Sequence, residues 1–446
     1  MTPADERYPL EWIDEYVARL RNFIFVREED CLLIKVPNEA HKLNPSGVRI
    51  LQRLLDGDGI LDVWQSYGKS PQVQRDLYEF FVGLKQVLQG CLNEHRLPEA
   101  VDSCPFSIDF NTLPVLSELA LTYRCNLRCR FCYTGRSSAK PGPDDKEMST
   151  DEAREILRII REDAQCPSVS FTGGEPTLRR DLVELVRFAR EELGLRVNLI
   201  TNGTLVDAAL AERLADAGLN SAQVSLEAPE ERIHEELTGV KGCFQKTLDA
   251  IHHLRASNII VHTNTTLTRL NADAAPDMPA LVHSLGLERF SMNLVIPVGA
   301  SVDHDVKLRY SEIPDLIDRI QAEAERHGVE FMWYSPTPVC IFNPIQHRLG
   351  NKGCAACDGL LSVSPSGDVL PCSSWPEPVG NLFEQGFRSV WESSRPQWIR
   401  GKRYAPPLCR TCEDFALCQS ACPLYWQYFG YDELNRYGER YVAANG

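Results

Sequence analysis

The chain has 446 residues, 43% hydrophobic and 24% charged, with a formal net charge of −15, which is the composition of a globular protein of about two to four domains. The acidic balance argues against non-specific nucleic-acid binding, which needs Lys and Arg to neutralise phosphates. No apolar run approaches the ~20 residues of a membrane span, and MTPADERYPLEW is no signal peptide; a cytoplasmic protein with no nucleic-acid or membrane partner is expected.

Residues 1–97 form a first module. FIFVREEDCLLIKVP reads as a β-hairpin with REED at its turn. LNPSGVRILQRLLDGDG reads as a helix capped by Asn44, with Pro45 in its first turn and Gly57 as its stop. GILDVWQSYG and the stretch through VQRDLYEFFVGLKQVLQ predict two more helices. A hairpin with three amphipathic helices is a winged-helix-like pattern. Residues 98–114, with three prolines and no clean periodicity, read as a linker.

From 115 to 335 strands alternate with helices: LSELALT, SVSFTGG, RVNLITNG, SAQVSLE, IIVHTNTTL and RFSMNLVIP are six strands with helical patterns between them. The first helix carries a capping box, Ser149 to Glu152. Repeated βα units give a parallel sheet with right-handed crossovers. Six fall short of the eight of a closed barrel, so the fold class expected is α/β, a partial (βα)6 TIM-like barrel. Active-site residues gather at strand ends in such folds. There lie three cysteines, then Gly173-Gly174-Glu175-Pro176, Asn202, Ser225 with Glu227, and Asn264. Residues 336–446 hold eight cysteines and few helix signals, so metal is expected to stabilise them.

Sixteen cysteines in a reducing compartment point to metal or iron–sulfur ligation rather than disulfides. Cys31, Cys91, Cys104, Cys166 and Cys243 stand singly and read as core or incidental residues. Cys125, Cys129 and Cys132 stand as C-x3-C-x2-C. Each iron of a [4Fe–4S] cubane wants one external ligand, so three thiolates leave one iron open to a small chelating molecule. Arg124, Arg128 and Arg130 read either as a solvated loop or as compensation for an anionic cluster.

With Phe131 and Tyr133 flanking the third cysteine and Gly173-Gly174-Glu175-Pro176 on the next strand, the chain resembles the radical S-adenosylmethionine (radical SAM) superfamily. The resemblance implies that the open iron is chelated by the amine and carboxylate of SAM. It also implies that one-electron cleavage gives methionine and a 5′-deoxyadenosyl radical. By position, Gly173, Gly174 and Glu175 are expected to bind the methionine amine, with Tyr133 beside the cofactor. Asn202, Ser225, Glu227 and Asn264 are candidates for the ribose and carboxylate, and Val295, Ile296 and the loop to Gly299 for the adenine. Thr177 and Arg179 are weaker candidates for facing substrate.

Cys357-x9-Gly367-x4-Cys372 and Cys409-x2-Cys412-x5-Cys418-x3-Cys422 resemble the SPASM extension, which holds two auxiliary iron–sulfur clusters. The resemblance assigns Cys357, Cys372 and Cys422 to cluster I, with Cys354 or Cys340 as a further ligand. It assigns Cys409, Cys412 and Cys418 to cluster II. No cysteine follows Cys422. Cluster II is left with three thiolates and a non-cysteine ligand such as Asp414, a distant Cys340, or an open iron; alternatively only one auxiliary cluster assembles.

The first module is similar to the peptide-recognition domain typified by the peptide chaperone of pyrroloquinoline quinone biosynthesis. That likeness implies that a leader peptide pairs with a strand edge. The expectation is a radical SAM/SPASM enzyme that crosslinks or otherwise oxidises a ribosomally made peptide or protein, served by a flavodoxin- or ferredoxin-type reductant. The alternatives are a maturase in a quinone, haem-derived or metal-cofactor pathway, and a non-enzymatic iron–sulfur or zinc interaction protein.

Overall fold

The computed structural model describes residues 6–37, 39–88, 110–135 and 146–445. It divides the chain into two compact units, Met1–Val115 and Leu116–Gly446.

The first unit opens on a helix, Trp12–Leu20, followed by β1 (Ile24–Arg27), β2 (Leu32–Lys35) and β3 (Glu39–Lys42). These pair antiparallel in the order β1-β2-β3, with REED between β1 and β2. β3 is an addition to the expected hairpin; EAHK carries no apolar alternation and is half-exposed. The helix Pro45–Asp56 begins as its sequence requires. The Asn44 side chain accepts the Gly47 N–H at 2.7 Å, Pro45 takes the first position, and Gly57 ends it at φ 113°. Helices Ile60–Ser66 and Pro71–Leu88 complete the set. Their apolar faces close a core around Leu33, Leu51, Val63 and Phe81, all fully buried; each such side chain contributes about 1.5–3 kcal/mol. The other sheet face packs Leu32 and Ile34 against Phe110 and Val115. Buried Arg27 pairs with Asp30 at 2.8 Å and donates to the carbonyls of Leu113 and Pro114. Residues 110–114, placed in the linker by sequence, thus belong to the first unit.

The second unit is built on one sheet. Its strands are β4 (Leu116–Thr122), β5 (Ser168–Gly173), β6 (Arg196–Thr201), β7 (Ser221–Ser225), β8 (Ile260–Leu267), β9 (Arg289–Leu294), β10 (Glu330–Trp333), β11 (Leu360–Val363), β12 (Asp368–Leu370) and β13 (Gly380–Asn381). Among the described residues the order is β10-β9-β8-β7-β6-β5-β4-β11-β12-β13. β4 to β9 are the six strands expected from sequence, paired parallel in chain order. β10 extends the parallel sheet beyond β9. β11 lies parallel to β4 with Leu360 opposite Leu116, so the cysteine-rich region shares the barrel sheet. Side chains alternate across each strand. On β6, Val197, Leu199 and Thr201 are buried while Arg196, Asn198 and Ile200 are half-buried. The half-buried set continues as Glu118, Ser170, Gln223, His262, Asn264 and Asn293 on the neighbouring strands, giving the sheet one polar face.

Among the described residues no helix is long and apolar enough to cross a membrane.

Candidate active site and cluster cages

The loop after β4 carries Cys125, Cys129 and Cys132. Cys125 and Cys129 each lie close enough to another of the three thiols for it to raise their pKa. Burial is the larger cause: it pushes Cys125 up to about 11 and Cys129 well above its ordinary value. Thiols so placed hold their protons unless a cationic centre takes the thiolates, which fits an iron–sulfur cluster. The loop is fixed from several sides. Leu127 N–H points at Cys125 Sγ at 3.4 Å, and the Arg128 and Arg130 N–H groups donate to Thr238 and Leu237 carbonyls. Two of the arginine side chains are paired with acids: Arg124 with Glu147 at 2.8 Å and Arg130 with Glu236 at 3.4 Å.

Two glycines bring the next strand end against this loop. A Cβ on Gly173 would lie 2.1 Å from the Thr122 carbonyl oxygen, and one on Gly174 would lie 2.2 Å from that of Arg124. Gly174 N–H donates to Thr122 O and Glu175 N–H to Arg124 O, both at 2.8 Å. The Tyr133 hydroxyl donates to the Gly173 carbonyl at 3.0 Å. Gly299, at φ 56°, meets the same loop from the other side: its Cβ would collide with the carbonyls of Cys132 and Tyr133. Ala300 N–H donates to Cys132 O at 2.9 Å. Gly299 and Ala300, at the end of the segment from Val295, therefore abut the cysteine loop.

Glu175 does not offer its side chain to a ligand. The carboxylate is fully buried and accepts from Thr177 N–H and Oγ1, Thr201 Oγ1 and Asn202 N–H. It braces two strand ends. Thr177 is consumed in that brace. Arg179 is pinned by Asp181 and by the Leu121 and Met148 carbonyls. Asn202 sends its Nδ2 to Asn126 at 2.9 Å and towards Cys125 Sγ at 3.8 Å, so it organises the cluster loop. Glu227 is 3% exposed, accepts Thr266 N–H at 2.8 Å, and lies near Cys129. Burial lifts its carboxyl to about 8, making it a neutral hydrogen-bonding acid at pH 7. Ser225 sits opposite Asn264 in the β7–β8 register. Asn264 bonds Asn293 Oδ1 at 2.8 Å and takes the Ser291 hydroxyl at 2.9 Å.

Sequence reading missed the floor of this face. His262 bonds Gln223 at 3.1 Å; burial, then Arg289 and Arg196, depress it to about 4. The Glu118 carboxyl is raised by burial and meets Ser373 and Ser362. Their inward strand positions were the available signal.

The C-terminal cysteines fall into two sets. Cys354 influences Cys357, Cys372 and Cys422 in turn. This set is gripped by Lys402, whose Nζ donates to Cys354 O at 2.6 Å and Asp358 at 2.9 Å, and by Arg400, which donates to Cys357 O. Cys340, Cys409, Cys412 and Cys418 line a second cavity. Between the sets, Gln419, Ser420 and Ala421 are all left-handed, at φ 55–59°. Among the described residues no three His, Cys, Asp or Glu side chains are grouped as one metal ion requires. A polynuclear cluster, with one thiolate per iron, accepts the wider cage. Of the single cysteines, Cys166 is buried core, Cys31 bonds Glu28 O, and Cys243 bonds Thr238 beside the cysteine loop. Cys91 and Cys104 lie outside the described residues.

Residues 119–278 match the radical SAM superfamily and residues 354–413 the SPASM iron–sulfur cluster-binding domain. A PqqA peptide cyclase of Rhodopseudomonas palustris is 30% identical over 321 residues, 69% of this chain and 82% of that protein. An AdoMet-dependent heme synthase of Methanosarcina barkeri is 27% identical over 340 residues, 70% and 92% of the two chains. Among solved structures, Streptococcus suis SuiB bound to S-adenosylmethionine aligns at TM-score 0.70 with 19% identity, covering 92% of this chain and 96% of that one. The radical SAM domain implies a [4Fe–4S] cluster and SAM, and the SPASM domain implies auxiliary clusters. This chain belongs to the radical SAM superfamily and carries a SPASM domain.

Proposed function

We propose that this radical SAM enzyme oxidatively modifies a ribosomally made peptide whose leader is held by the first unit. The observation that carries the reading is the extent of the likeness to SuiB. It covers 92% of this chain, more than residues 116–446 can supply, so the first unit shares in it; SuiB has also been crystallised with its precursor peptide SuiA. The first unit presents what a leader needs: among the described residues β3 is an edge strand with half-exposed side chains, able to accept an added strand.

When bound, the cluster and SAM supply a 5′-deoxyadenosyl radical that abstracts hydrogen from an unactivated C–H bond. The residues of this chain hold and orient. Cys125, Cys129 and Cys132 ligate the cluster, and Cys354, Cys357, Cys372 and Cys422 hold one auxiliary cluster; Cys409, Cys412 and Cys418 serve a second. The backbone of Gly173–Glu175 receives the methionine amine. Ser225, Glu227 and Asn264 border the nucleoside, and Gln223 and Asn293 offer hydrogen bonds to peptide amides on the polar face. A flavodoxin- or ferredoxin-type protein supplies the electron.

The test is co-expression with a short peptide encoded beside the enzyme, read by mass spectrometry. A loss of hydrogen that disappears with Cys129→Ala is the expected result. An unmodified peptide that also fails to bind the full-length protein overturns the reading. A second reading, a maturase in a haem-related pathway, is favoured by the 27% identity over 340 residues to the M. barkeri heme synthase. It predicts binding and conversion of a haem precursor, with the peptide ignored.

A further inference from the structure

We propose that Cys340 is the fourth thiolate of the second auxiliary cluster, so that four protein sulfurs close this cluster and no iron is left for a substrate atom. The proposal rests on the cluster-binding reading of this region and is independent of what the substrate is.

Four thiols from two separate stretches meet at one cavity. Cys409 ends the first turn of the short helix Pro407–Arg410, Cys412 follows it, Cys418 ends Phe415–Cys418, and Cys340 comes from the loop after β10. The placement of Cys340 is built into the backbone. Val339 N–H points at Cys418 Sγ at 3.4 Å, and the Ile341 and Phe342 N–H groups both donate to Pro338 O at 2.9 and 3.0 Å. The turn so formed holds residue 340 against the C-x2-C-x5-C run. The segment is far from that run in sequence, so only the fold could reveal the pairing.

The competing assignments fail on chemistry. The set of Cys354, Cys357, Cys372 and Cys422 already offers four thiols, so it does not need Cys340. Asp414 lines the second cavity, but its Oδ2 takes the Tyr441 hydroxyl at 2.5 Å. A carboxylate is also a harder ligand than a thiolate, and iron–sulfur clusters select soft donors. An iron with four protein thiolates around its cluster has no vacancy. The second cluster then exchanges electrons through space and cannot bind substrate directly, a choice that the spacing of the cysteines left open.

The experiment uses the full chain with Cys125, Cys129 and Cys132 all changed to Ala, reconstituted anaerobically, so that all cluster iron belongs to the auxiliary sites. Adding Cys340→Ala is expected to remove about four irons per chain, or to leave a three-iron EPR signal. Adding Asp414→Asn instead is expected to leave iron content and spectrum unchanged. Iron and EPR unchanged by Cys340→Ala overturn the proposal, and so does a loss seen with Asp414→Asn alone. Where the alanine variant precipitates, Cys340→Ser decides. A shifted reduced-cluster EPR spectrum with iron retained supports ligation through residue 340, and an unaltered spectrum refutes it. None of these readouts depends on activity. A failure of SAM cleavage in the parent chain would instead strike at the first cluster alone.

Discussion

The buried carboxylate of Glu175 accepts the backbone N–H of Asn202 at 2.8 Å, tying the Gly-Gly-Glu-Pro loop to the end of the next strand. Its second oxygen is shared by Thr177 and Thr201. Four donors converge on one acid, so Glu175→Gln forces an NH2 group against N–H or O–H donors. The expected outcome is a loss of about 1–3 kcal/mol, read as a lower Tm of the apo-protein, together with weaker SAM binding. A side chain that only touched the ligand would weaken binding and leave the apo Tm where it was.

Gly174 is a matter of space. A Cβ there would lie 2.2 Å from the Arg124 carbonyl oxygen, with backbone rather than a flexible side-chain tip as its neighbour. Gly174→Ala must push the cysteine loop away from β5. Overpacking of this kind costs about 1–3 kcal/mol. Isothermal titration is expected to show SAM affinity reduced at least ~10-fold, the equivalent of ~1.4 kcal/mol. Unchanged affinity would mean that the loop can move without disturbing the cofactor site.

How far the sequence could be read depended on range. β4 to β9 were legible because short apolar-rich runs alternate with helical patterns between turn residues, and Asn44 and Ser149 cap their helices as their neighbours in sequence suggested. β3 and β10, four residues each, and β11, emerging from a cysteine-rich loop, are too short to show a period; pairing with neighbouring strands creates them. The same division runs through the site. The three cysteines and two glycines were visible because their chemistry is local. Glu175 was recognisable as an acceptor, but two of its donors, Thr201 and Asn202, come from another strand end, so its bracing role was hidden. Cys340 could not be sorted between two cages by spacing, because the turn that seats it next to Cys418 is a long-range contact.

Lys402 is 1% exposed, yet it is held by the Cys354 carbonyl at 2.6 Å and the Asp358 carboxylate at 2.9 Å. Removing one partner of a buried pair leaves the other uncompensated, typically at a cost of about 3–5 kcal/mol. Lys402→Met is therefore expected to lower Tm and to deplete iron at the Cys354 set. Adding Asp358→Asn to it should recover part of the loss, because the stranded charge is then gone. If the double variant is as unstable as the sum of the two single variants, the lysine acts through packing rather than through the pair.

His262 supplies a pH test with a definite sign. Burial first, then Arg289 and Arg196, hold its folded pKa near 4, below the ordinary 6.5. Between those values the unfolded chain binds a proton that the folded chain refuses. Stability from this site is complete above about pH 6.5 and is lost as the pH falls towards 4, with a limiting slope of about 1.4 kcal/mol per pH unit. His262→Gln keeps a neutral polar group beside Gln223 and removes the titration. Denaturant melts of the apo-protein from pH 4.5 to 7.5 should show the wild type losing stability more steeply than the variant on the acid side. Above pH 7 the two curves should run parallel. Parallel curves throughout would mean that His262 keeps its ordinary pKa in the folded protein, so that the polar face gains a positive charge below about pH 6.5, where a neutral imidazole is expected.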